Sequence, residues 1–165
     1  MSLDTLVLKA MVDECAHLAG SKIVAIEQYS SNEIGLVLRG ASGRLALAVS
    51  VQPGYARVYR TSPGRKSEGS SAFLNALREH LLAGRLDHIE TVPDDRIMIM
   101  HCTGRTATGL QAYRIITEMI DRHNMMVLTT EPDLTIVQTL RRIRTGDRDP
   151  SPGERYEYPF RPSKL

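Results

Sequence analysis

Two periods of apolar residues alternate along this chain. Near the N-terminus Leu8, Met11, Val12, Cys15 and Leu18 recur at three- and four-residue spacing, which lines one face of an α-helix. Ser2 or Asp4 can cap its start and Gly20 can stop it. From Lys22 the period falls to two: Leu45, Leu47, Val49 and Val51 alternate with Arg44, Ala46, Ala48 and Ser50, the pattern of a half-buried strand. Segments 22–29 and 33–39 are its neighbours, and 56–61 follows the Pro53-Gly54 break. The short turns at Ser30-Ser31-Asn32 and Gly40-Ala41-Ser42-Gly43 cannot span a parallel crossover, so the first three strands form an antiparallel meander.

Residues 62–71, rich in Ser, Gly and charge, predict a mobile surface loop carrying Arg65 and Lys66. A second helix is predicted from about Ala72, burying Phe73, Leu77 and Leu81 and ending at Gly84. Strand patterns return at 85–92, 96–102, 110–119, 125–130 and 134–143, the last two joined as a hairpin by Glu131-Pro132-Asp133. Beyond Arg144 the chain turns polar and Pro-rich, so a domain over 1–144 is expected, with 145–165 an extension or linker. The sum is an α+β domain: two helices against a mostly antiparallel sheet folded into a β-sandwich.

Composition narrows the function classes. At 165 residues, 42% hydrophobic and 24% charged, the chain suits one globular domain, and no apolar run approaches the about 20 residues of a membrane span. The start Met1-Ser2-Leu3-Asp4-Thr5 lacks the features of a signal peptide, which predicts a cytoplasmic location. Cys15 and Cys102 form no CxxC pair and are expected to be reduced structural thiols. Net charge is only +2, yet 17 of the 21 basic residues are arginine, whose planar fork suits phosphate better than a general solubility charge requires.

No GxSxG, HExxH, P-loop or GxGxxG occurs, and His17, His80, His88, His101 and His123 show no metal-ligand spacing. No catalytic residue, metal, cofactor, small-molecule substrate or membrane partner is therefore expected, and the chain is not expected to be an enzyme. Two polar clusters interrupt apolar strands: Pro93-Asp94-Asp95-Arg96 before Ile97-Met98-Ile99-Met100, and Asp121-Arg122-His123-Asn124 before Met125-Met126-Val127-Leu128. Each can be a turn whose Asp and Asn satisfy local backbone groups. Alternatively, strand ends present Arg96, Arg122 and His123 to phosphates or base edges.

These clusters, in this order, are where the chain resembles the NFACT family of ribosome-associated factors that add C-terminal tails to stalled nascent chains. The resemblance begins at Ser2-Leu3-Asp4-Thr5-Leu6-Val7-Leu8 and runs through Phe73, Leu77-Arg78, His80-Leu81 and Gly84-Arg85. It continues over Ile89-Glu90, Asp95-Arg96-Ile97, Glu118-Met119, Arg122-His123-Asn124, Pro152-Gly153, Tyr156 and Pro159. It implies a fold similar to the N-terminal domain of the formamidopyrimidine DNA glycosylases. It also implies that the domain helps hold tRNA on a large ribosomal subunit carrying an obstructed peptidyl-tRNA. The family's Asp-Arg motif, matched by Asp95 and Arg96, is the part tied to tRNA contact and tailing. Where the family has Gly-Arg-His-Ser-Asn this chain has Asp121-Arg122-His123-Asn124-Met125, and the family's Pro-Arg after Pro-x-Tyr becomes Ala56-Arg57.

The expected nucleic-acid contacts are thus Arg96, oriented by Asp95, together with Arg122, His123, Arg57 and Arg85. Two rivals are a surface adhesin that binds fibronectin and a DNA glycosylase or lyase. The second lacks the N-terminal proline nucleophile of that chemistry, since removal of Met1 exposes Ser2. Ser163-Lys164-Leu165 matches a peroxisomal address, though a three-residue match arises easily by chance.

Overall fold

The computed structural model describes residues 4–65, 68–92, 95–146 and 148–159, apart from the side chain of Asp121. Helix α1 (Thr5–Cys15) starts where the Asp4 carboxylate accepts the Val7 amide at 2.8 Å, and it buries Leu8, Val12 and Cys15 along one stripe. A 3-10 turn, Ala16–Leu18, leads to Gly20 at φ +90°, a left-handed conformation that ends the helical segment. Strands β1 (Lys22–Ser30), β2 (Glu33–Gly40), β3 (Gly43–Ser50) and β4 (Arg57–Thr61) form the expected meander. Helix α2 (Ala72–Leu81) is capped by Ser71, whose hydroxyl accepts the Leu74 amide at 3.0 Å. Strands β5 (Arg85–Thr91), β6 (Ile97–Thr106), β7 (Gly109–Glu118), β8 (Met125–Thr130) and β9 (Ile136–Leu140) complete one antiparallel sheet. Its order is β4-β3-β2-β1-β5-β6-β7-β8-β9.

Among the described residues the two halves of that sheet pair as strands only at the starts of β1 and β5. Lys22 stands opposite Arg85, the Ile23 amide donates to the Gly84 carbonyl at 2.9 Å, and the Leu86 amide donates to the Ser21 carbonyl at 2.9 Å. Beyond this crease the halves face one another. One apolar cluster joins Leu36, Leu38 and Leu47 of the first half with Met98, Met100, Ile115 and Leu128 of the second. Both helices add to it, α1 touching β4 and β5, and α2 touching β1, β6 and β9. The joint is close-packed: a Cβ on Gly84 would lie 2.3 Å from the Thr103 carbonyl oxygen, and one on Gly104 would lie 2.0 Å from that of His80.

A second apolar cluster covers the outer face of the second half: Ile97, Ile99, Ile116, Met125, Val127 and Ile136, with Tyr156 laid over them. Both faces of β6 and β8 are therefore buried, which explains their unbroken apolar runs. The described part of segment 145–165 runs along this face. The Tyr156 amide donates to the Leu134 carbonyl at 2.8 Å, and its hydroxyl donates to Glu118 at 2.5 Å. Arg148 grips the same carboxylate with both terminal nitrogens. Among the described residues no helix is long and apolar enough to cross a membrane.

Candidate nucleic-acid interface

A chain of hydrogen bonds gathers four strand turns at one end of the molecule, the turn pole. The Val51 amide donates to the Asn32 carbonyl at 2.8 Å, and the Asn32 side chain donates to Gln52 at 2.9 Å. The buried Asn124 side chain donates to the Gln52 carbonyl at 3.1 Å, tying the β3–β4 turn to the β7–β8 turn. The Met119 amide donates to the Arg96 carbonyl at 2.8 Å, tying the β5–β6 turn to the same place. Buried polar groups are seldom left unpaired, so these bonds fix where the turns sit as firmly as the sheet fixes the strands.

Arg96 and Asp95 are half-buried at this pole, and neither is sealed in the core. Pro93 and Asp94, the rest of that cluster, lie outside the described residues. Arg122 and His123 are exposed on a 3-10 turn, Asp121–His123. That turn is held from below by Arg141, whose guanidinium donates to the Asn124 carbonyl at 2.9 Å and the Arg122 carbonyl at 2.7 Å. Arg141 itself sits at φ +60°, an uncommon backbone state for a non-glycine residue.

Arg57 reaches the pole differently. Its guanidinium lies between two rings, 4.5 Å from the Tyr55 centroid and 4.2 Å from that of Tyr59. Its Nε is buried without a hydrogen-bond partner among the described residues, so the aromatic faces supply much of its environment. Arg65 lies 4.0 Å over the Tyr29 ring, donates to the Tyr59 hydroxyl and to Glu33 (3.2 Å), and Tyr59 donates on to Glu33. Burial first, then the bond to Glu33, raises the Tyr59 phenol above its ordinary pKa, with Arg65 partly offsetting this. The phenol thus stays a neutral relay between Arg65 and Glu33. On either side of the undescribed residues 66–67, Arg65 is held as above and Ser71 donates to Gln28 at 2.7 Å; Lys66 lies outside the described residues.

Arg85 stands apart from the other candidates. It opens β5 at the crease, and the six residues to Thr91 carry the strand about 20 Å away toward the turn pole. There it pairs with Asp87 at 2.6 Å and lines a cleft of about 370 Å³ with Lys22, Thr103, Arg105 and Leu110. The structure therefore brings together Asp95, Arg96, Arg122, His123 and, through its tyrosine stack, Arg57, and leaves Arg85 at the far end.

Sequence reasoning missed Tyr55, Asn124 as a turn-to-turn tie, and Arg141. Arg57 and Tyr59 carried a signal, since residues two apart share a strand face, and Tyr55 stands two residues before that strand. Arg141 carried none, because its partners lie 17 and 19 residues away. Among the described residues no group of His, Cys, Asp and Glu could hold a metal ion.

A two-helix domain built on a single folded antiparallel sheet, with arginine-bearing turns gathered at one pole, is the class these features define. The family described as NFACT N-terminal and middle domains matches residues 4–165, and the chain belongs to that family. It is 27% identical over 171 residues to the Rqc2 homolog RqcH of Bacillus subtilis, covering 100% of this chain and 30% of that protein. A ribosome quality control complex subunit NEMF homolog of Drosophila melanogaster is 32% identical over 106 residues, covering 61% of this chain and 10% of that protein. The chain thus spans less than a third of either relative. The N-terminal domain of the fibronectin-binding protein PavA from Streptococcus pneumoniae superposes with a TM-score of 0.88 at 23% identity, covering 96% of this chain and 62% of that one. At that identity the likeness is one of fold.

Proposed function

We propose that this domain is the RNA-binding part of a cytoplasmic ribosome quality control factor. In this reading it holds tRNA on a large ribosomal subunit with an obstructed peptidyl-tRNA and so supports C-terminal tailing of the stalled chain. The observation that carries the reading is the gathering of Arg96, Arg122 and His123 at one hydrogen-bonded pole. Membership of the NFACT family and relatives named for ribosome quality control support it. Cationic forks on fixed turns meet backbone phosphates and the edges of unpaired bases, the usual way single-stranded RNA loops are recognised. Asp95 orients Arg96, while Arg122 and His123 extend the contact. The domain positions RNA and makes no bond itself.

Fluorescence anisotropy with labelled tRNA tests this. The wild-type chain binds, and binding weakens steeply with salt as counterions are released. Replacing Asp95 and Arg96 together by Ala lowers affinity roughly ten-fold, as loss of a charged nucleic-acid contact does, while the thermal melt stays in place. Unchanged affinity in that variant sinks the site.

A further inference from the structure

We propose that the outer face of the Tyr55 ring is a stacking site for one unpaired nucleobase of the bound RNA. The inference rests on the RNA-binding reading and adds a contact that neither the Asp-Arg motif nor the arginine content suggests.

Tyr55 is 57% exposed, which alone is ordinary for a surface tyrosine. Its other face is what sets it apart. The Arg57 guanidinium is stacked there at 4.5 Å and rests in turn on Tyr59 at 4.2 Å. Tyr59 is bonded to Arg65 and Glu33. A ring backed by this column has already lost most of its rotamer freedom, so stacking a base on it orders little more. The guanidinium also places positive charge behind the ring, which suits an electron-rich base in front of it.

Position is the second, independent observation. The Tyr55 amide and the Asn124 side chain donate to the same carbonyl, that of Gln52, at 2.9 and 3.1 Å. Tyr55 therefore stands beside the turn that carries Arg122 and His123. A nucleotide whose base lies on Tyr55 has its phosphate within reach of those side chains. Among the described residues no other ring or cation stacks on Tyr55. Because every base has a π face, the site tolerates sequence but requires an unpaired nucleotide.

The chain contains no tryptophan, so Tyr55→Trp installs a single indole at the site. The probes are a short single-stranded RNA, tRNA, and a blunt RNA duplex of equal length, each labelled and followed by anisotropy beside tryptophan emission. The expected results are that Tyr55→Trp binds the single strand and tRNA as tightly as wild type, with indole emission quenched at saturation. The duplex leaves the emission unchanged. Tyr55→Ala binds the single strand roughly ten-fold more weakly with an unaltered thermal melt. Saturation without quenching, equal quenching by the duplex, or wild-type affinity in Tyr55→Ala overturns the stacking site while the RNA reading stands. If the wild-type chain shows no RNA-dependent anisotropy at all, both fall together.

Discussion

The turn pole and the crease both carry exposed cations, but they hold them in different ways. At the crease Arg85 is neutralised by Asp87 at 2.6 Å, and that carboxylate also accepts the Thr103 hydroxyl. Lys22 and Arg105 border the cleft from other strands. At the turn pole Arg65 is likewise paired with Glu33, but Arg57 lies between tyrosine rings and Arg141 directs its donors at backbone carbonyls. Arg122 and His123 stand on the turn that Arg141 supports. A carboxylate partner cancels an arginine's field, whereas π faces and carbonyls fix the group and leave its net charge intact. Counting arginines does not separate Arg57 and Arg141 from Arg85; what each guanidinium touches does.

The largest effect belongs to the crease as a joint. Gly104→Ala drives a Cβ to 2.0 Å from the His80 carbonyl oxygen, a clash with backbone that no rotamer relieves. Chemical denaturation should show a loss of about 3 kcal/mol or more, the upper range for overpacking. Tyr55→Ala at the pole leaves the midpoint where it is.

Next in size is the contrast in RNA affinity. Asp95 and Arg96 replaced together cost roughly ten-fold, whereas Lys22→Gln with Arg105→Gln reduces affinity by no more than about three-fold, the loss of general charge attraction. Equal losses in anisotropy titrations would erase the distinction between the ends.

Smaller again is Arg141→Ala, which removes the donors at 2.9 and 2.7 Å from the carbonyls of Asn124 and Arg122. A half-exposed arginine of this kind contributes about 1 kcal/mol. The melting temperature should fall by roughly 2–4 °C, and RNA affinity should drop a few-fold as the turn loosens.

The smallest effect is one of pH: stability should hold near pH 7 and begin to fall above about pH 8, because burial raises the Cys15 and Cys102 thiols and the folded chain keeps them protonated where the unfolded chain ionises them. Tyr59 is raised by burial and Glu33, and Tyr156 by burial and then Glu118, so the folded chain keeps both phenols protonated at a pH where the unfolded chain releases them. Their contribution is intact below the unfolded tyrosine value of about 10 and is lost as pH rises past it. Melting temperature should decline more steeply above that point, and Tyr156→Phe should lessen the added steepness.

Much of the fold could be inferred before any coordinates. The alternation from Leu45 to Val51 marks β3, the three- and four-residue spacing from Leu8 to Leu18 marks α1, and Asp4 caps that helix. Each of these is a local matter, because burying one face of a helix or strand imposes its period on neighbouring residues. The Asp95-Arg96 and Arg122-His123 clusters were visible for the same reason, as polar breaks in apolar runs.

What the chain by itself determined, then, is which segments are helix or strand and which polar residues stand at strand ends. Tertiary structure alone decided that Arg85 belongs to the crease, that Tyr156 and Arg148 close over Glu118, and that Tyr55 stands beside Asn124. Those outcomes follow from pairing Lys22 with Arg85 and then folding the sheet at that point, so that distant turns share one pole. Local periodicity records whether a residue faces the core; it carries no record of which remote turn that residue will meet, since long-range pairing depends on how the whole apolar surface is buried.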